Sequence, residues 1–177
     1  MQKNVYDKAI ISDASCLIAL TNINRLEILK QLFKEIIITP EVASEYKLSL
    51  PKWILIKDVL NKNMIAEIRK NKLGIGESSS IALAMENKNS VLILDDDQAR
   101  NFVRKNGLVI TGTLSIIRNA CDLGYIESYE AVCDDLRKAN FRFSKKVQEE
   151  VKKNTVNAQP TKEQNGETSC PKRSRGR

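Results

Sequence analysis

Residues 90–97 read Ser90-Val91-Leu92-Ile93-Leu94-Asp95-Asp96-Asp97, and this stretch decides the fold. Its apolar run has no polar interruption, as expected of a parallel strand covered on both faces, and it ends abruptly in consecutive carboxylates. Working outward, Ala9-Ile10-Ile11 ends in Ser12-Asp13, and Glu35-Ile36-Ile37-Ile38-Thr39 is closed by Pro40, a residue suited to the first turn of a helix. Trp53 to Ile56 and Leu108-Val109-Ile110-Thr111 complete the strand candidates. Helical spacing falls between them: Ser15 to Leu20 and Leu26 to Leu32, Pro40 to Tyr46, Val59 to Lys70, Glu77 to Glu86, Ala99 to Gly107, and Leu114 to Leu123. Alternating β and α units of this length predict an α/β protein, a three-layer α/β/α sandwich with a mostly parallel central sheet. Ser128 to Ala139 and Lys145 to Lys153 are expected as extra C-terminal helices.

Length sets the domain count. A chain of 177 residues fits one domain, expected over 1–153 with its core about 9–126 and closing helices over 128–153, followed by a disordered basic tail over 154–177. The net charge of +7 is uneven, because residues 152–177 hold seven Lys/Arg against two Asp/Glu, leaving 22 and 20 in the body. The fold itself is nearly neutral. Either the closing Lys172-Arg173-Ser174-Arg175-Gly176-Arg177 attracts a polyanion or it is simply solvated. No long apolar segment suggests a leader or a membrane span, so a cytoplasmic location is the default expectation.

The chain has no histidine, which removes Ser-His-Asp and Cys-His triads, imidazole bases and His-ligated metals together. Cysteines 16, 121, 133 and 170 are widely spaced, with no C-x-x-C pair, and read as reduced thiols. Catalysis would have to use carboxylates, lysine or a metal. With only oxygen donors on offer, the implied ion is Mg²⁺ or Mn²⁺.

Four acidic positions carry the chemical expectation. Asp13 directly follows a strand, where ligands gather in parallel α/β sheets, although an aspartate there also suits helix capping. Of the run Asp95-Asp96-Asp97, capping needs only one residue, and three adjacent carboxylates repel one another; Asp95 and Asp96 are the candidates, with Asp97 facing solvent. Glu77 opens a helix whose dipole favours an acid, just after Gly74-Ile75-Gly76, whose glycines allow close approach of another element. That lone G-x-G lacks the preceding strand of a dinucleotide site. Glu45 lies in the helix begun by Pro40, beside Glu41, where most glutamates are simply exposed surface charges.

The ordered series of these motifs resembles the PIN superfamily of small metal-dependent ribonucleases over most of residues 9–126, and more narrowly a toxin-type branch of it. The resemblance rests on Ile11-Ser12-Asp13-Ala14-Ser15 with Leu17 to Leu20, on Ile38-Thr39-Pro40-Glu41-Val42 with Glu45, and on Gly76-Glu77 with Ala82-Leu83-Ala84. Asp95-Asp96 with Ala99-Arg100, and Ile110-Thr111-Gly112-Thr113-Leu114, complete it. It departs from many relatives in having a glutamate at the third acidic position and adjacent aspartates at the fourth. The resemblance implies an acidic site of Asp13, Glu45, Glu77 and Asp96, with Asp95 a close neighbour. Asp13, Asp96, Asp95 and Glu77 are the expected metal ligands, and Glu45 and Glu77 could instead orient the attacking water. Ser15, Arg100 and Thr113 are candidate contacts to phosphate. An RNA substrate, a small antitoxin protein and a homodimer are the partners so implied.

A non-catalytic module, with the acids as caps and the C-terminal helices holding a protein or RNA, is the competing expectation. A phosphotransfer enzyme fits less well, because Asp13 is followed by Ala14-Ser15 rather than by a second aspartate two residues on.

Overall fold

The computed structural model describes residues 8–153; the expected basic tail lies outside them. The sheet comprises β1 (Ala9–Ser12), β2 (Ile36–Ile38), β3 (Ile54–Ile56), β4 (Ser90–Ile93) and β5 (Ile110–Thr111), all parallel, in the order β3-β2-β1-β4-β5. The chain builds outward from β1 to β3, then returns to place β4 on the other side of β1. That reversal makes the β1–β4 boundary the switch point, outside whose carboxyl ends ligands bind in open α/β sheets.

Alternation of side chains along the strands feeds two cores. Ile10, Val91 and Ile93 point into one, packed by α1 (Ala14–Asn22), α2 (Glu27–Phe33), α3 (Pro40–Tyr46), α7 (Thr113–Asp122) and α8 (Tyr129–Lys138). Ile11, Leu92 and Leu94 point into the other, packed by α4 (Lys62–Arg69), α5 (Ile75–Glu86) and α6 (Asp97–Lys105). A final helix, α9 (Lys145–Lys153), contacts α7. The α/β/α sandwich expected from the sequence is therefore the fold adopted.

Helix α5 is the innermost of these. Gly76, Ser78, Ser79, Ser80, Ala82 and Ala84 are all buried, and such small side chains let it lie close against α3, α4, β1 and β4. Two of its hydroxyls find acceptors, Ser79 donating to the Gly76 carbonyl at 2.9 Å and Ser80 to the Ser12 carbonyl at 3.4 Å, whereas the buried Ser78 hydroxyl has no partner among the described residues. This packing brings the first turn of α5 to the carboxyl edge of the sheet. No helix among the described residues is long and apolar enough to cross a membrane.

Candidate active site

The two strands flanking the switch point deliver two carboxylates. Ser12 of β1 is in register with Ile93 of β4, so Asp13 leaves one strand and Leu94-Asp95 the other at adjacent points. The Asp13 N–H donates to the Ile93 carbonyl at 3.2 Å, which fixes its backbone beside β4. Asp13 stands at the N-cap position of α1 with extended backbone, yet its carboxylate makes no capping hydrogen bond. The side chain is buried, and neither oxygen has a hydrogen-bond partner. An anion so placed lacks the compensation that buried charge requires. Burial, reinforced by repulsion from Asp95 and then Glu77, pushes the Asp13 carboxyl well above the usual range. The Cys16 amide and the Ser15 hydroxyl oppose this without reaching hydrogen-bond geometry.

Asp95 is held from its far side. The Thr113 N–H donates to Oδ1 at 2.9 Å and the Thr113 hydroxyl to Oδ2 at 2.5 Å. Thr113 opens α7, whose N-cap Gly112 has no side chain to offer, so Asp95 supplies both an acceptor and a negative charge at that positive helix end. A Cβ on Gly112 would sit 2.8 Å from Arg100 Nη1 and 3.0 Å from Asp95 Oδ1, so glycine is what admits both. Arg100 Nη1 donates to the Leu94 carbonyl at 2.7 Å and the Thr111 carbonyl at 3.4 Å, clamping the ends of β4 and β5. Burial raises the Asp95 carboxyl despite Thr113 and the nearby Arg100 charge.

Asp96 is exposed and caps α6, its Oδ1 accepting from the Ala99 N–H at 2.8 Å; Asp97, also exposed, begins that helix. The glutamates come from the other side. Glu77 Oε2 accepts from the Gly74 N–H at 2.8 Å, and Glu45 reaches from α3 so that its Oε1 accepts from the Gly76 N–H at 3.0 Å. A Cβ on Gly76 would fall 2.4 Å from Glu45 Oε2, so this approach depends on the glycine. Two amides at the free end of α5 thus hold two carboxylates, as unpaired N–H groups at a helix start favour. Burial raises the Glu77 carboxyl, the Gly74 N–H opposes, and repulsion from Asp96 and Glu45 adds to the rise.

The acids gather at one edge as two linked sets. Asp13 and Asp95 form the inner pair, and Glu77 couples electrostatically to Asp13, Asp96 and Glu45. Among the described residues no three of these groups stand close enough to one point to hold an ion by themselves. The phosphate-contact candidates divide: Ser15 is exposed on the first turn of α1, whereas the Thr113 hydroxyl and Arg100 Nη1 are engaged with Asp95 and with strand-end carbonyls.

A PIN-domain family profile matches residues 9–157, most of the chain. The protein belongs to the PIN-domain family. No curated protein matches it. PIN domains are generally nucleases that use divalent metals.

Beside the switch-point acids lies Cys16, which the sequence reads only as a reduced thiol. Cys16 is fully buried, and burial is the main cause raising its thiol, with Asp95 and Asp13 adding and the Thr113 hydroxyl opposing. Its signal was its spacing, since residues three apart share a helix face and Cys16 follows Asp13 by that interval.

Proposed function

We propose that this PIN domain is a metal-dependent endoribonuclease that hydrolyses RNA phosphodiester bonds, with Mg²⁺ or Mn²⁺ at the Asp13–Asp95 edge. The observation carrying this reading is the buried Asp13 carboxylate, whose oxygens have no partner although Asp95 and Glu77 press further negative charge on it. Asp95 and Asp96 are accounted for as helix-end acceptors; Asp13 is not. A hard cation would relieve the repulsion, and an all-oxygen donor set fits Mg²⁺ or Mn²⁺. Mg²⁺ commonly binds through one or two carboxylates, keeps several waters and completes its shell with substrate phosphate, so Asp13 and Asp95 would hold it together with water and the RNA phosphate, with Asp96 and Glu77 adding charge beside them.

When bound, such an ion lowers the pKa of water and offsets the charge developing on a phosphodiester in flight. The chain's own groups do the rest. Glu77 and Glu45, at the mouth of the site, orient the attacking water, and Glu77, with its raised carboxyl, accepts a proton there. Thr113 and Arg100 keep Asp95 in place, while the exposed Ser15 hydroxyl can donate to a phosphate oxygen. The resemblance to the toxin-type branch extends the proposal to a toxin role, restrained by a small antitoxin protein.

A second reading, a non-catalytic protein- or RNA-binding module, draws on the helix-capping uses of Asp95 and Asp96. Incubating the purified protein and its Asp13→Asn variant with end-labelled RNA, in Mg²⁺, Mn²⁺ or EDTA, separates the two. The nuclease reading expects metal-dependent fragments from the wild type and none from the variant. Identical fragments from both, or no cleavage by wild type in either metal, would overturn it.

A further inference from the structure

An open groove of about 770 Å³ lies between the turn that ends α4 and one face of α6. Gln98, Asn101, Phe102 and Lys105 fall on that face at helical spacing, and Lys70 and Lys72 line the opposite wall. No carboxylate lines the groove. Lys70 lies 2.7 Å from Glu67, whereas Lys72 and Lys105 are exposed and have no ion pair among the described residues. The Gln98 side-chain amide donates to the Asn71 carbonyl at 2.6 Å, joining the two walls. Both walls lead to the acidic edge. Gln98 follows Asp96 by two residues, and Lys72 precedes Gly74, whose N–H holds Glu77, by two.

We propose that this groove is the track along which single-stranded RNA enters the acidic site, an assignment that rests on the nuclease reading above. Its chemistry suits that ligand. Lysine ammoniums neutralise backbone phosphates, and side-chain amides offer both donors and acceptors to base edges. The half-buried Phe102 offers a ring on which an unstacked base can rest, which a duplex could not use. The track also answers an electrostatic difficulty, since a polyanion must approach a cluster of carboxylates. A wall whose Lys72 stands two residues before Gly74, the amide that holds Glu77, holds the neighbouring phosphates while the reacting one reaches the acids.

The test measures binding of the full chain to a fluorescein-labelled single-stranded oligoribonucleotide by anisotropy, in EDTA, between 50 and 200 mM salt, a range over which phosphate contacts are strongly weakened. Lys72→Gln/Lys105→Gln is compared with wild type and with Lys30→Gln/Lys138→Gln, which removes the same charge from α2 and α8 on the other layer. Two lost contacts should lower the slope of log affinity against log salt by about 1.4, at roughly 0.7 per phosphate on single strands, and weaken binding at least ~5-fold. The α2/α8 variant should bind as wild type does. Equal weakening in both variants, or none in the groove variant, would overturn the proposal. A protein that cleaves RNA but ignores the groove substitutions leaves the nuclease reading standing without the track. One that binds through the groove but never cleaves reverses that outcome.

Discussion

Asp95 and Thr113 meet across eighteen positions of chain, the backbone amide and the hydroxyl of Thr113 donating separately to the two oxygens of the Asp95 carboxylate at 2.9 and 2.5 Å. This contact pins the end of β4 to the start of α7 and holds Asp95 where its charge acts on Asp13. Thr113→Val keeps the shape and the amide donor but removes the hydroxyl. Loss of a hydrogen bond to a charged group costs about 1.5–3 kcal/mol, so chemical denaturation should show a destabilisation in that range. Nuclease activity should fall more than stability does, because Asp95 is freed to turn. Unchanged stability would mean that the contact contributes nothing to the fold.

Gly76→Ala tests the approach of Glu45. Alanine is favoured over glycine within a helix by about 1 kcal/mol, so substitution in the first turn of α5 should leave stability equal or higher. The new Cβ would lie 2.4 Å from Glu45 Oε2, a movable side-chain end that must withdraw from the Gly76 N–H. The expected result is an undiminished melting temperature with cleavage reduced about a hundredfold or more, the scale of one positioned acid–base group. Full activity would remove Glu45 from the site.

Asp13 contributes to the pH dependence of the metal-free protein. Its folded-state pKa lies above the unfolded value, so its contribution is fully present below about pH 4 and is lost as pH rises through the folded pKa. Asp13→Asn is neutral throughout and escapes that loss. In EDTA the variant should melt higher than wild type at pH 8, by roughly 2–4 °C for each kcal/mol recovered, and the two curves should converge toward pH 4. A variant less stable than wild type at pH 8 would show that the Asp13 anion is satisfied in the fold.

Much of this architecture was legible in the sequence because buried parallel strands are written as local apolar runs. Ser90 to Leu94 and Ala9 to Ile11 were readable for that reason, as was the start of α3 at Pro40. Boundaries set by backbone geometry were less so: α5 begins at Ile75 rather than Glu77, since Gly74 is its N-cap, and α4 begins at Lys62 while Val59 is buried in the preceding loop. Val109 was expected within a strand; it lies just before β5 and is exposed, although its carbonyl still accepts from Leu92. Within the site, the acids were visible but their pairing was not. Local sequence makes Asp95 and Asp96 equivalent, and only the distant Thr113 amide and hydroxyl separate a half-buried Asp95 from an exposed helix-capping Asp96. Glu45 depends on an amide in another helix, which no spacing rule reveals.

Direct measurement of metal binding tests the central claim most sharply. Mn²⁺ titrated into the apo protein should be followed by electron paramagnetic resonance, which counts free ion without requiring any RNA or turnover. Saturable loss of the free-ion signal by the wild type, abolished in Asp13→Asn and weakened in Asp95→Asn, is the predicted result. Equal binding by wild type and Asp13→Asn, or none by wild type at millimolar Mn²⁺, would contradict the assignment of the Asp13–Asp95 edge as the metal site.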